Sequence, residues 1–272
     1  MAKALSALSH HNYKVLYPAT FLSNIGTWAQ RVAQDWLVLE LTHSAAALGI
    51  VTALQFAPAL FFSMAGGVLA DRFDKRKLLL LTNAGSLLTA LLMGLLVLNN
   101  AATIWHVYVL GFALGVFSAI DAPIRQTFTS ELVGKDDVLG AISLNSVNFN
   151  VGRLIGPGVS GLMIAAFGTG PSFLLNALSY LLMIVALGFI RKEELNIAEK
   201  PKDATKLKEA FQYIASRKDL MLVLVIGFLG GTFGMNYQIF NALMATQQFH
   251  KGPAEFGGLG TFLAIGSVIG SL

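Results

Sequence analysis

The 272-residue sequence contains no cysteine. That excludes a disulfide framework and any thiolate metal site. Charge is the next scarcity. Only 12% of the residues are Asp, Glu, Lys or Arg, against about 25% in a soluble domain, while 55% are hydrophobic and the mean hydropathy is +0.65. So little charge cannot cover a water-exposed surface of this size, so the surrounding medium is expected to be lipid. The formal net charge of +4 sits in short, separated clusters, which is not the footprint of nucleic-acid binding. The histidines, His10, His11, His43, His106 and His250, are scattered and form no metal-ligand spacing. No metal and no cofactor are expected.

What the chain does have is long charge-free runs. None of the four charged residue types occurs from Leu78 to Ile120 or from Leu220 to His250, and from Val138 to Ile190 the sole example is Arg153. A bilayer crossing needs about 20 apolar residues, so the runs 78–120 and 138–190 can each cross twice. Both carry a polar or Gly/Pro break near the middle, "LNNAATIWH" at 98–106 and "FGTGPS" at 167–172, as expected of turns between helices. The spacing predicts helices over 13–41, 45–71, 78–98, 104–130, 137–166, 171–190, 217–247 and 255–272. Barrel strands alternate over about ten residues, and these runs are too long and too uniform for that. The polar N-terminus "MAKALSALSHHNYK" does not read as a cleaved signal peptide.

Lys and Arg fix an expected orientation. With the N-terminus in the cytoplasm, sixteen of the 19 fall in cytoplasmic segments; the exceptions are Arg31 and Arg153 within spans and Lys251 outside. This is the positive-inside bias. Residues 191–216 form the one long hydrophilic segment, with Leu207, Ala210, Phe211 and Ile214 at helical spacing. It reads as a linker with an amphipathic helix on the membrane face, or as a solvated connector. Three units are therefore expected: 1–190, the linker 191–216, and 217–272. A shift of 208 residues aligns "LTHSAAALG" at 41–49 with "FHKGPAEFG" at 249–257. On that register the chain stops inside a second copy of its first unit, and the sequence is expected to be the N-terminal piece of a longer protein.

Several side chains stand out. In the first span Asn24, Trp28, Arg31 and Asp35 follow at spacings of four, three and four, which places them on one helical stripe. Charges at membrane depth usually face a protein interior or a watery cavity. The stripe is therefore expected to line a substrate and proton path, with Asp35 as the titrating group. The competing reading is an Arg31–Asp35 pair that only stabilises its helix. Gln30 and Gln34 lie off the stripe and are expected against a neighbouring helix. Asp121 and Arg125 again stand four apart, around Pro123. In the fifth span Asn145, Asn148, Gly152 and Gly156 share a face, where small residues let helices approach closely. Pro157 predicts a bend, and Arg153 points elsewhere. "GPGVSG" at 156–161 matches G-x-G-x-x-G, but it lacks the preceding strand and following acid that nucleotide binding requires.

Two motifs carry a family resemblance. "GGVLADRFDKRK" at 66–77 resembles the loop between spans two and three of the major facilitator superfamily, with Gly67, Leu69, Ala70, Asp71, Arg72, Arg76 and Lys77 in register and Asp74 where glycine is usual. "GRLIGPGVSG" at 152–161 is similar to the span-five motif of its antiporters, through Gly152, Gly156, Pro157 and Gly161. "WLVLELTHSAAALG" and "DAPIRQTF" also resemble the bacterial multidrug and siderophore exporter branch. The resemblance implies an all-α polytopic membrane protein, a complete six-helix N-terminal bundle followed by about two helices of a second bundle. It implies a secondary transporter in the bacterial inner membrane, exporting amphipathic small molecules or drugs against protons by alternating access. A specific metabolite such as a siderophore, or a non-transporting scaffold or receptor on the same fold, are the alternatives. Partners would be the substrate, protons, the bilayer and the missing C-terminal helices. The resemblance also implies that the 71–77 loop holds one conformational state, with Arg125 as a latch to Asp71, and that the span-five motif shapes the contact between the halves. A local salt bridge, a purely topogenic loop and ordinary helix packing are the respective alternatives.

Overall fold

The structure, a computed structural model, describes residues 6–197, 213–231 and 237–269. Among these residues every regular element is helical. We number the longer helices α1 (His11–Thr42), α2 (Ala45–Arg72), α3 (Lys75–Leu98), α4 and α5 (the two arms of Ile104–Phe167), α6 (Gly170–Gly188), α7 (Lys218–Leu229), α8 (Tyr237–Leu243) and α9 (Pro253–Ile269). A short 3₁₀ turn, Ala7–Ser9, precedes α1, and a π turn, Met244–Gln248, follows α8.

The α4–α5 junction differs from the sequence expectation of a loop over 131–136. Helical backbone continues through it and breaks only at Gly134, with φ 73° and ψ 178°. A side chain is strained at that φ, so glycine permits the joint. The caps elsewhere are legible. Ser44 accepts from the Ala47 amide at 3.3 Å and opens α2. Asp74 accepts from the Lys77 amide at 3.1 Å and opens α3. Asp74 thus stands in the loop as an N-cap, which explains its occurrence where the family pattern has glycine. The expected amphipathic helix around 207–211 lies outside the described residues, as does 232–236 within the expected 217–247 span.

Four of the helical runs, Ala45–Arg72, Lys75–Leu98, Ile104–Phe167 and Gly170–Gly188, are long and apolar enough to cross a membrane. Their outer faces carry Phe61, Leu88, Leu92, Leu162 and Leu178 in the open. An apolar belt of this kind is stable against lipid and costly against water. Two apolar clusters hold the bundle. One joins Tyr13, Leu16, Leu79, Ile124, Phe128, Leu132, Met183 and Leu187 at the end bearing the 71–77 loop, hereafter the basic end. The other joins Val32, Leu37, Leu48, Val51, Met93, Val107 and Phe173 at the opposite end. Ala242, Ala245 and Phe256 belong to this second cluster, and Phe256 stacks on Trp36 with ring centroids 6.2 Å apart. Phe256, beyond the linker, is thereby packed onto α1.

His43 and His250, one position apart in the 208-residue register, share a backbone feature. His43, after α1, and His250, after the π turn, both adopt left-handed conformations, with φ 49° and 51°. Each stands where a first long segment ends and the next helix begins.

Candidate functional site

A cavity of about 540 Å³ is bordered by α1, α3, α4, α5 and α6. Its α1 wall is Tyr13, Tyr17, Thr20, Asn24, Thr27 and Arg31, residues three or four apart and therefore one helix face. The α4 wall contributes Ser118, Asp121, Arg125, Gln126 and Thr129 among others; α5 contributes Asn145, Ser146, Phe149 and Asn150; Asn83 and Ser86 of α3 and Tyr180 of α6 also line it. From Tyr13 to Arg31 the cavity follows α1 for about 27 Å. Arg31 stands at its far end, directly before Val32 of the second apolar cluster.

Of the stripe expected in the first span, Asn24 and Arg31 line this cavity, whereas Trp28 and Asp35 do not. Asp35 shares the azimuth of Arg31 but lies one turn, about 6 Å, further along. There it is 7% exposed. Trp28 sits at the edge, its ring 5.7 Å from that of Phe149, with the Arg31 guanidinium over the Trp28 ring at 4.7 Å from its centroid. Gln30 meets a neighbouring helix as expected: Asn176 of α6 donates to its Oε1 at 2.7 Å.

Arg125 and Asp121 form a direct pair, Nε to Oδ2 at 2.7 Å. The other carboxylate oxygen accepts from Thr82 Oγ1 at 2.8 Å and Asn83 Nδ2 at 2.9 Å. Arg125 also reaches Asn83 Oδ1 at 3.5 Å. The local pair is thus the one formed in this conformation, and the partner of Arg125 is Asp121 and not the expected Asp71. Four-residue helical spacing brings the two side chains together without help from the loop. Thr82 and Asn83 carried no sequence signal, because they are two polar residues in an otherwise apolar run.

At the basic end the loop is tied down by other residues. Lys75 Nζ lies 2.7 Å from Glu131 Oε1 on α4. Arg76 donates to the last carbonyls of α6, Leu187 O at 2.6 Å and Gly188 O at 2.8 Å, a favourable cation position at a helix C-terminus. The Asn196 amide donates to Glu131 O at 2.8 Å. A second cavity of about 420 Å³ separates this loop, including Asp71 and Arg72, from Thr127, Ser130 and Lys192. Lys77 is exposed, its amide capped by Asp74. Glu131 is the residue that sequence reasoning missed, since 131–136 read as a bare connection. The packed glycine is also the neighbour of the expected one. A Cβ at Gly66 would stand 2.7 Å from Ile120 O, while Gly67 has open space.

The fifth-span motif looks two ways. Gly152 and Gly156 receive α1: a Cβ there would meet Asn24 Cβ at 2.8 Å and Trp28 Cβ at 2.5 Å. Asn24 donates to Asn148 Oδ1 at 3.0 Å beside them. Pro157 and Gly161 receive α9 instead. A Cβ at Gly257 would stand 2.5 Å from Pro157 O, and one at Gly161 would stand 2.8 Å from Pro253 O. Asn145 accepts from the Tyr13 hydroxyl at 3.0 Å. Arg153 is half-buried and forms no hydrogen bond or ion pair with another described residue.

Comparison with known proteins fits this arrangement. The family model described as transmembrane secretion effector, MFS_3, matches residues 2–272. The staphyloferrin A transporter of Staphylococcus aureus (strain NCTC 8325 / PS 47) is 28% identical over 263 residues, covering 95% of this chain and 66% of that protein. The enterobactin exporter EntS of Shigella flexneri is 23% identical over 265 residues, covering 97% and 62%. Among solved structures, a bacterial homolog of the human lysosomal transporter Spinster, inward-facing and unoccupied, aligns with a TM-score of 0.67 at 17% identity over 98% of this chain and 61% of that one. A POT family transporter in complex with a thioalcohol-conjugated peptide aligns with a TM-score of 0.60 at 16% identity over 86% of this chain and 49% of that one. The chain thus spans about six-tenths of the length of the relatives it matches. It belongs to the transmembrane secretion effector (MFS_3) family of the major facilitator superfamily, a family of transporters and not of enzymes, as a multi-pass membrane protein with siderophore exporters among its relatives.

Proposed function

We propose that this chain supplies the N-terminal six-helix unit, 1–190, a connecting linker, 191–216, and the opening helices of a second unit, 217–272, of a secondary exporter for siderophore-like small molecules. The observation that carries the reading is a cavity lined by many polar side chains that runs along α1 from Tyr13 to Arg31, in a bundle whose outer faces are apolar. A volume of about 540 Å³ suits one small molecule. The relatives named for a cargo handle staphyloferrin A and enterobactin, which favours a chelator over the amphipathic drugs expected from the sequence.

Alternating access would rock the two units about this cavity. Gly161 and Pro157 against α9 provide a close contact between them. The loop residues Gly67, Asp71, Arg72, Arg76 and Lys77 would form the switch, with Lys75–Glu131 closing it in the present state. Arg125 would act through Asp121 in this state and exchange to Asp71 in another. The cluster of Lys and Arg at 72–77 favours a cytoplasmic position for this end and for the N-terminus, in a bacterial inner membrane. Asp35 is the proposed proton-coupling acid, buried one turn beyond Arg31.

Everted vesicles carrying the full-length protein test this. They should accumulate enterobactin or staphyloferrin A when the lumen is acidified, and Asp35→Asn should abolish the acid-driven part while leaving downhill flux. Vesicles that move neither chelator under any proton gradient contradict the reading. Equal acid-driven uptake in Asp35→Asn removes Asp35 as the coupling group.

A further inference from the structure

We propose that Arg31 is the anchor for an anionic, oxygen-rich ligand at the far end of the cavity. The inference rests on the transport reading and specifies the charge of what is carried. Arg31 lines the cavity, yet its Nε is shielded from solvent and has no hydrogen-bond partner. Its guanidinium lies over the rings of Trp28 and Phe56, at 4.7 and 5.1 Å from their centroids. Those contacts hold the cation and satisfy no N–H group. A charged donor left unmet in a bundle interior is costly, and a carboxylate or phenolate oxygen meets a guanidinium's fixed fork well.

The acid that lines the same cavity does not compete. Both oxygens of Asp121 are engaged, by Thr82 and Asn83 on one and Arg125 on the other. Asp35 is close enough to interact electrostatically with Arg31, but it is not part of the lining. Among the described lining residues, then, a cationic ligand finds no free carboxylate, while an anion finds Arg31. A cavity built for lipophilic cations would have the reverse arrangement.

The test uses the purified full-length protein in lipid nanodiscs, titrated with citrate, neutral triethyl citrate and the cation tetraphenylphosphonium. Citrate should bind, Arg31→Gln should weaken it by about tenfold or more, and Arg31→Lys should recover part of the loss. Triethyl citrate and tetraphenylphosphonium should bind wild type no better than Arg31→Gln does. Citrate failing to bind wild type, citrate binding unchanged within twofold in Arg31→Gln, or tetraphenylphosphonium binding that strengthens in Arg31→Gln would each overturn the proposal. Should Arg31→Gln not fold, Thr27→Cys, one turn below, carries the test. Citrate should protect it from a water-soluble maleimide and tetraphenylphosphonium should not; the converse overturns the anchor. Arg31-dependent citrate binding in a protein that moves no chelator in vesicles would retain the anchor and remove the transport reading. Chelator transport with Arg31-independent citrate binding would do the opposite.

Discussion

Asp121 holds more of the cavity wall than its sequence position indicates. Its carboxylate joins Thr82 and Asn83 of α3 to Arg125 of α4. Asp121→Ala leaves the Arg125 cation without its counter-charge, and the protein should lose about 2 kcal/mol of stability. Thermal unfolding in detergent checks this; the double variant Asp121→Ala, Arg125→Met should recover much of the loss, because the stranded charge goes with its partner. A second carboxylate reports on pH. The Ser6 hydroxyl donates to Asp137 Oδ1 at 2.5 Å, and His10 Nε2 lies 2.8 Å from Oδ2. The Ser6 hydrogen bond first, and His10 second, hold the Asp137 carboxyl below the ordinary aspartate range. A lowered native value stabilises the fold above the unfolded pKa and the contribution fades as pH falls through the native one. The stability difference between wild type and Asp137→Asn should be constant above about pH 5 and shrink below about pH 4. A difference that grows towards acid would contradict this origin.

Helix packing turns on a few close approaches. Gly66 lets α2 meet α4 at Ile120, and Gly156 lets α5 meet α1 at Ile25 and Trp28. Adding a methyl at either forces backbone apart, and overpacking of this kind costs about 1–3 kcal/mol. Gly66→Ala and Gly156→Ala should therefore lower the unfolding temperature, while Gly67→Ala, with open space around it, should leave it unchanged. Equal effects at Gly66 and Gly67 would refute the packing described. At this scale much was legible in advance. Hydropathy located the spans, because each run is long and bounded by charge or Gly/Pro. Spacing put Asn148, Gly152 and Gly156 on one face, and that face does receive α1. It could not tell Gly66 from Gly67, since adjacent residues differ by about 100° around a helix and only the neighbour decides which is covered. Nor did it show that 131–133 stays helical up to a single left-handed glycine, because a charged, Gly-containing stretch reads as a loop.

At the scale of the molecule, composition alone identified lipid as the solvent, and the loop and span-five motifs led to the superfamily. The site was half visible. Arg31 and Asn24 stood out because charge and amide are rare in an apolar span. Their hydroxyl companions, Thr20, Thr27, Ser86 and Ser118, did not, because serine and threonine also occur in membrane helices as ordinary packing residues. Asp35 shares the azimuth of Arg31 but lies outside the cavity lining, since periodicity gives an angle and not the level at which a cavity ends. The proposed cargo class rests on relatives and on the charge balance of the assembled walls, which no single helix displays. On this reading the cavity side of the bundle is wet and the outer helix faces meet lipid. Because these 272 residues contain no cysteine, single cysteines can be read cleanly in intact membranes with a membrane-impermeant, water-soluble maleimide applied from the basic end. Ser118→Cys and Ser146→Cys, on the cavity wall, should label rapidly; Leu92→Cys and Leu162→Cys, on the exposed apolar faces, should not. Labelling of the leucine positions as fast as the serine positions would contradict the account.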